Sequence, residues 1–327
     1  MANYRAIKGY MVQSLSSDPS NIFTGQIWYN TTLGKFRGVK EVGAWSSGGN
    51  INIARANHSG ARAAPSTAAQ IAGGQTPPNT EQDETEQYDA TSWTEVGDLN
   101  SVRRSSTGFG TQAAAINVSG VSGGAGSTLC ESWNGTSWTE VQNNNTYKAN
   151  AGGGGTSTAG ICAQTTTEIW NGASWTEVND MNEGRYGGGS AGTSTALIYA
   201  GGHEPPTPTD STDACETWNG TSWTEGNNLN QTREVIGDFG TSTAAMMAGG
   251  LFEQPYTYLD VCEQYDGTSF TEVADLSLAR GMTANGAGTT SAGVICGGRF
   301  QTVANAHFTN VSEEWSFAAT TSSWTTT

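Results

Sequence analysis

Positive charge is scarce in this chain: 14 Lys and Arg stand against 30 Asp and Glu in 327 residues, a formal net charge of -16. Only Lys8, Lys35, Lys40 and Lys148 carry an ammonium group. So acidic a surface repels phosphate backbones and anionic lipid headgroups, so neither nucleic acid nor a membrane surface is an expected partner. No apolar run approaches the roughly 18 residues of a spanning helix, and residues 1–20 lack the apolar stretch of a secretory signal. Membrane insertion is not expected, and synthesis in a cytoplasm is. Histidine is nearly absent, with only His58, His203 and His307. There is no HExxH spacing, CxxC pair, GxSxG elbow or phosphate-binding Walker loop, so no metal, cofactor or catalytic residue is expected. Charged residues make up 13% of the chain, too few for the exposed faces of long amphipathic helices.

Glycine, by contrast, is abundant at 44 residues, and one phrase recurs: CETWNGTSWTEG, ESWNGTSWTEV, EIWNGASWTEV, TEQYDATSWTEV and CEQYDGTSFTEV. Its second aromatic falls at Trp45, Trp93, Trp138, Trp175, Trp223 and Phe270, spaced 48, 45, 37, 48 and 47 residues apart. That period belongs to four-stranded propeller blades. One unit of residues 185–226 divides into a Gly-rich strand after Arg185, then TALIYAGG, CETW and SWTEG. Asn219-Gly220 between the last two is a strong hairpin signal, repeated at Asn134-Gly135, Asn171-Gly172 and Asp266-Gly267. A two-residue turn there would pair Trp218 with Thr221 and Trp223 with Glu216, leaving the two indoles as diagonal neighbours on one face. A lone hairpin cannot bury such a wedge, so Trp93, Trp133, Trp138, Trp170, Trp175, Trp218 and Trp223 are expected to pack between stacked blades. The repeated glutamates (Glu86, Glu131, Glu168, Glu216, Glu263 and Glu313, with Glu95, Glu140, Glu177, Glu225 and Glu272) read as a solvated rim. The five cysteines occupy equivalent slots on different blades, too far apart to bridge, and are expected to be buried free thiols.

The succession of Arg, small-residue strand, Gly-Gly, Glu-x-aromatic and Trp resembles the kelch repeat. Arg55, Arg103, Arg185, Arg233 and Arg280 hold the Arg position, with Lys148 in the third copy. Gly73-Gly74, Gly201-Gly202, Gly249-Gly250 and Gly297-Gly298 hold the diglycine; the second copy is displaced towards Gly123-Gly124 and the third reads ICAQ. The resemblance implies an all-β fold: a six-bladed kelch-like β-propeller of four-stranded antiparallel blades over 45–327, with a short N-terminal β-hairpin extension in 1–44. It also implies that each Arg bonds a carboxylate or carbonyls of the neighbouring blade, in preference to forming a charged ring at the channel mouth. Trp45 is expected to complete the C-terminal blade, joining the chain's two ends and removing a sheet edge; SSWTTT around Trp324 is the competing strand. Copper oxidases of kelch type need a His pair that is missing here. Sialidase propellers carry Asp-boxes at the third-to-fourth strand turn, but that pattern fails here and no three arginines stand outside the repeat. A non-enzymatic protein is therefore expected.

Residues 1–44, with GQIWYNTTLGKFRGV running into GAWSSGGNINIAR, resemble the start of kelch-like virion proteins of tailed marine bacteriophages. The implied role is a tail or fibre component in the virion, present in multiple copies and attached through 1–44 to other virion subunits. The second-to-third strand loops vary most between copies, and they share a face with the blade-to-blade links. Binding to a host-surface glycan or receptor is expected there, through His203, Phe252, Tyr256, Tyr258, Phe300, His307 and Phe308. The alternative reading is a free glycan-binding propeller of lectin type.

Overall fold

The computed structural model describes residues 12–21, 25–205, 211–253, 256–281, 286–301 and 306–323; Trp324, the competing strand's marker, lies outside them. The chain forms two compact units, one of residues 45–316 and one of 1–44 with 317–327.

The larger unit is a six-bladed β-propeller. Blade 1 comprises Ser59–Gly60, Gln70–Thr76, Thr80–Tyr88 and Trp93–Glu95; blade 2, Thr107–Thr111, Ala114–Val118, Cys130–Trp133 and Trp138–Val141. Blade 3 comprises Gly152–Thr156, Ala159–Ala163, Thr167–Trp170 and Trp175–Val178; blade 4, Gly189–Thr193, Ala196–His203, Ser211–Trp218 and Trp223–Glu225. Blade 5 is Gly237–Thr241, Ala244–Glu253, Tyr256–Tyr265 and Phe270–Glu272. Blade 6 pairs Ala287–Thr289 with Ala292–Cys296 and that strand with Ser312–Ser316. Its fourth strand comes from the other end of the ring's sequence, as expected: Trp45 sits 5.4 Å from Trp315, and Gly48 N donates to Ser312 O at 2.9 Å.

The aromatic wedge is buried as expected, but its hairpin differs. Trp218 pairs directly with Trp223, and Trp133 with Trp138, so four residues form each turn. The reason is the Asn side chain. Asn219 Oδ1 accepts hydrogen bonds from the amides of Thr221 and Ser222 at 2.9 and 3.0 Å. Only Gly220 takes a positive φ, of 94°, whereas a two-residue type I′ turn needs two such residues. An Asx turn has outcompeted the tighter one. The direct pairing brings each first aromatic beside the second at 4.8–5.5 Å in five blades.

Hydrophobic clusters lie between blades. Phe109 of blade 2, for example, packs with Trp170 and Trp175 of blade 3, and Leu197 and Trp218 of blade 4 pack with Ile161 of blade 3. Small residues make the approach possible: a Cβ on Gly160 would stand 2.1 Å from the Phe109 ring. All five cysteines are free and buried, and burial pushes the Cys130 thiol up to about 11 and Cys162 to about 12, so they carry no thiolate chemistry near neutral pH.

In the smaller unit Gln13–Leu15 runs parallel to Ile27–Asn30, which pairs antiparallel with the strand starting at Lys35, and the end of the strand Ser312–Ser323 comes next in the sheet order. The turn at Asn30 to Gly34 and the two strands it joins match the sequence pattern; the strand Gln13–Leu15 had no signal. Tyr29 lies edge-on to Phe36 at 5.3 Å, and Arg37 pairs with Asp18 at 2.7 Å.

Candidate functional site

The loop face of the ring is built on a buried ionic frame. In every blade the repeated basic residue meets the repeated glutamate: Arg55 with Glu86 and Lys148 with Glu168 at 2.7 Å, Arg185 with Glu216 at 3.2 Å, and Arg280 with Glu313 at 3.0 Å. Arg103 pairs with Glu131, and Arg233 with Glu263, in the same way. These six glutamates are at most 2% exposed, so the solvated-rim reading is wrong for them; it holds for Glu95, Glu140, Glu177, Glu225 and Glu272, which are exposed. The reason is that each carboxylate has two jobs. One oxygen takes the cation, and the other accepts from the residue three positions earlier: Asn52, Asn100, Asn145, Asn182 and Asn230 donate both backbone and side-chain N–H, and Ser277 its amide. The repeated N-x-x-R spacing was legible as a fifth mark of the repeat and was missed.

The partner glutamate belongs to the same blade as the arginine, not to its neighbour. The arginine's backbone makes the crossing instead. Gly74 N donates to Arg103 O, Gly202 N to Arg233 O, Gly250 N to Arg280 O and Gly298 N to Arg55 O, at 2.8–2.9 Å. The last of these closes blade 6 on blade 1. A Cβ at Gly73 would stand 2.6 Å from Arg103 O, which is why glycine recurs there. In blade 2 the equivalent donor is Gly120, bonded to Lys148 O at 2.9 Å, preceded by Ser119 at φ 58°. The diglycine position is therefore Ser119-Gly120. Gly123-Gly124 forms a separate turn that joins Val121–Ser122 to Ala125–Gly126.

Burial pushes the Glu168 carboxyl up, but Lys148 and the amides of Asn145 and Thr146 outweigh it and hold it below the ordinary carboxylate range. A carboxylate with a pKa depressed by folding stabilises above its unfolded value of about 4.3, and that contribution fades as pH falls through the folded value. The stability deficit of Glu168→Gln, measured by urea unfolding, is thus expected to be full at pH 7 and to shrink at pH 3. An equal deficit at both values would contradict this assignment.

Inside the frame one buried cation ties four blades together. Arg62, just after the first strand of blade 1, bonds Asp238 of blade 5 at 3.0 Å, Thr107 of blade 2 at 2.8 Å and Gly153 O of blade 3 at 3.0 Å. Arg62 is 6% exposed and Asp238 is fully buried. Burial raises the Asp238 carboxyl against the opposing pull of Arg62. Neither residue carries a repeat signal, so the sequence did not announce them.

At the mouth, residues two after the repeated cation share a left-handed backbone: φ is 55° at Asn57, 56° at Ser105, 54° at Asn150, 75° at Gly187 and 48° at Val235. Their amides and carbonyls link blade to blade, Ser105 to Asn57, Asn150 to Ser105, Gly187 to Asn150 and Val235 to Gly187, at 2.5–2.8 Å. Beneath lies a cavity of about 40 Å³ that includes His58 and Ser106. Burial, with Arg55 nearby, holds the His58 imidazole well below its ordinary value and neutral.

Outside this hoop the frame presents side chains that differ in every blade. The residue after the cation bridges the residue after the diglycine: Ala56 with Gln75, Arg104 with Val121, Tyr186 with His203, Glu234 with Leu251, Gly281 with Arg299. The backbone geometry is constant and the chemistry is not. Two depressions occupy the blade 1, 2 and 6 arc. One, of about 720 Å³, includes Gln75, Asn79, Glu81, Arg104 and Arg299; the other, of about 400 Å³, includes Pro77, Pro78, Asn79, Arg299, His307 and Phe308.

The residues expected to bind do not form one cluster. His203 is buried, its ring tilted 36° to that of Tyr186 at 4.9 Å, and it lies 3.7 Å from Glu234. Phe252, Tyr256 and Tyr258 lie on strands of a long blade 5 hairpin, where Leu251 pairs with Tyr258 and Phe252 with Thr257; Tyr256 is exposed and Tyr258 is 6% exposed. Phe300 pairs with His307. Only His307 and Phe308 line one of these depressions. Arg104, Arg299 and Asn79 were overlooked, because each occurs once and the repeat hides single departures.

No family model matches the chain, and no curated protein does. Among solved structures, one described as the structure of YjhT aligns with a TM-score of 0.66 over 81% of this chain and 96% of that one, at 11% identity. Likeness at this identity speaks for the propeller fold. It also corrects the expectation of a non-enzymatic protein: the chain shares the fold of YjhT, and propeller rings carry catalysis as well as binding, so missing familiar motifs do not exclude an enzyme.

Proposed function

We propose that this chain is a kelch-type recognition propeller of a tailed bacteriophage virion, a tail or fibre component. Residues 1–44 join it to other virion subunits, and the loop face meets a host-surface glycan or receptor. The observation that carries this reading is the contrast at the channel mouth. One hydrogen-bonded backbone frame repeats around the ring while the side chains mounted on it change from blade to blade. A rigid scaffold with variable attachments is how loops acquire binding specificity. The resemblance of residues 1–44 to the start of phage virion proteins supplies the setting, with several copies per particle.

Mass spectrometry of purified particles tests the setting: peptides of this chain are expected among the structural proteins at many copies per virion, and their absence from particles overturns it. A free glycan-binding module is the second reading, favoured by the polar lining of the larger depression. It is the reading that stands if the chain is secreted or soluble and missing from particles.

A further inference from the structure

We propose that the arc of blades 1, 2 and 6 holds a binding site for an acidic oligosaccharide, with Arg104 and Arg299 as its anion contacts. The inference deepens the recognition role above and rests on it.

The two depressions share Asn79 and Arg299, so they form one elongated surface. That suits a chain-like ligand better than a single small molecule. In a protein of net charge -16, this surface is locally cationic. Its charged groups are Arg104, Arg299 and Glu81, and Glu81 is already committed: its oxygens accept from the amides of Gly123 at 2.6 Å and Gly124 at 3.2 Å. Arg104 meets it through Nε at 3.5 Å and makes no side-chain hydrogen bond among the described residues, leaving a guanidinium about a third exposed, with free donors. Arg299 is held in place, with Nη2 donating to Asn79 Oδ1 at 2.7 Å and its guanidinium 4.5 Å over the Phe308 ring. Its Nε is buried with no hydrogen bond among the described residues. Guanidinium forks suit carboxylate and sulfate oxygens. The repulsion of the distant acidic surface is screened beyond about 8 Å at physiological salt, so the two arginines dominate at contact.

The rest of the lining decides between anions. Around Arg104 it consists mostly of amide and hydroxyl side chains, Asn57, Gln75, Thr80 and Ser105 among them, which can both donate to and accept from sugar hydroxyls. Beyond Arg299, Pro77 and Pro78 offer a flat apolar step beside His307 for a pyranose face. An acidic peptide would bring few hydroxyls for these amides and would leave them desolvated without partners, which costs affinity.

The test uses the purified full chain and calorimetric titration with oligogalacturonate, its fully methyl-esterified counterpart, a sulfated dextran oligomer and a Glu-rich peptide. Binding of at least one acidic sugar is expected, at least tenfold weaker for Arg104→Ala and for Arg299→Ala and undetectable for the double variant. Methyl ester and peptide are expected not to bind. Circular dichroism and thermal melting report folding, and if Arg299→Ala is unstable, Arg104→Ala and Arg299→Lys carry the test. Equal binding of acid and ester, equal binding by the variants, preference for the peptide, or no binding of either acidic sugar would each overturn the proposal. The virion assignment would stand or fall separately, on the particle spectra.

Discussion

Glu131→Ala is expected to lower the unfolding free energy by about 3–5 kcal/mol, the cost of leaving one charge of a buried pair without its partner. Arg103 is fully buried, and besides Glu131 its guanidinium reaches, among the described residues, only carbonyls, Leu129 O at 2.9 Å and Ser101 O at 3.4 Å. Losing Glu131 also strands the Asn100 backbone amide, which donates to its second oxygen at 2.8 Å, and leaves the Asn100 side chain only Trp138 O as acceptor among the described residues. The same loss is expected for Glu263→Ala, where Asn230 and Arg233 converge in the same way. Urea unfolding followed by tryptophan fluorescence measures it, and a loss under about 1 kcal/mol would mean that the cations find other partners or water. Arg103 O is also the acceptor for Gly74 N of blade 1. The damage should therefore reach the interface between blades 1 and 2, visible as faster amide exchange at Gly74.

The second large effect belongs to Arg62 and Asp238. Arg62→Ala leaves Asp238 buried in the first strand of blade 5 without its cation, and Asp238→Ala leaves the buried Arg62 without its carboxylate. Each single change is expected to cost about 3–5 kcal/mol, whereas Arg62→Met with Asp238→Leu, of similar volume and no charge, is expected to recover most of it. The double-mutant cycle of Arg62→Met and Asp238→Leu, with each single variant measured beside the double and read from urea midpoints, would then show a coupling of a few kcal/mol. Additive losses would mean that Arg62 and Asp238 act independently.

Most of the ring could be read from the chain. The spacing of the second aromatics gave the blade period, and the position of Trp45 ahead of the first full copy pointed to the closing strand; the Gly-Gly pairs, read as closing the second strands, instead sit at a bulge inside them in blades 1, 4 and 5. Repetition made these legible, because a feature present five or six times outweighs local noise. The same averaging blurred other features. Glutamates at two positions of the repeat looked alike in sequence, and only packing separated Glu131, locked on Arg103, from Glu140, exposed to solvent. The Trp-Asn-Gly-Thr-Ser-Trp turn was read by its Gly when its Asn side chain governed it.

What the sequence determined by itself was everything that repeats: strand alternation, aromatic wedges between blades, free buried thiols and the number of blades. Those follow from local chemistry that each copy restates. Tertiary structure alone decided what occurs once. Arg62 and Asp238 are 176 residues apart and meet because the ring brings its first strands together at the axis. Arg299 and Asn79, 220 residues apart, meet because ring closure sets blade 6 beside blade 1. A contact between unrepeated residues distant in the chain leaves no periodic trace, and the candidate binding surface is made of such contacts.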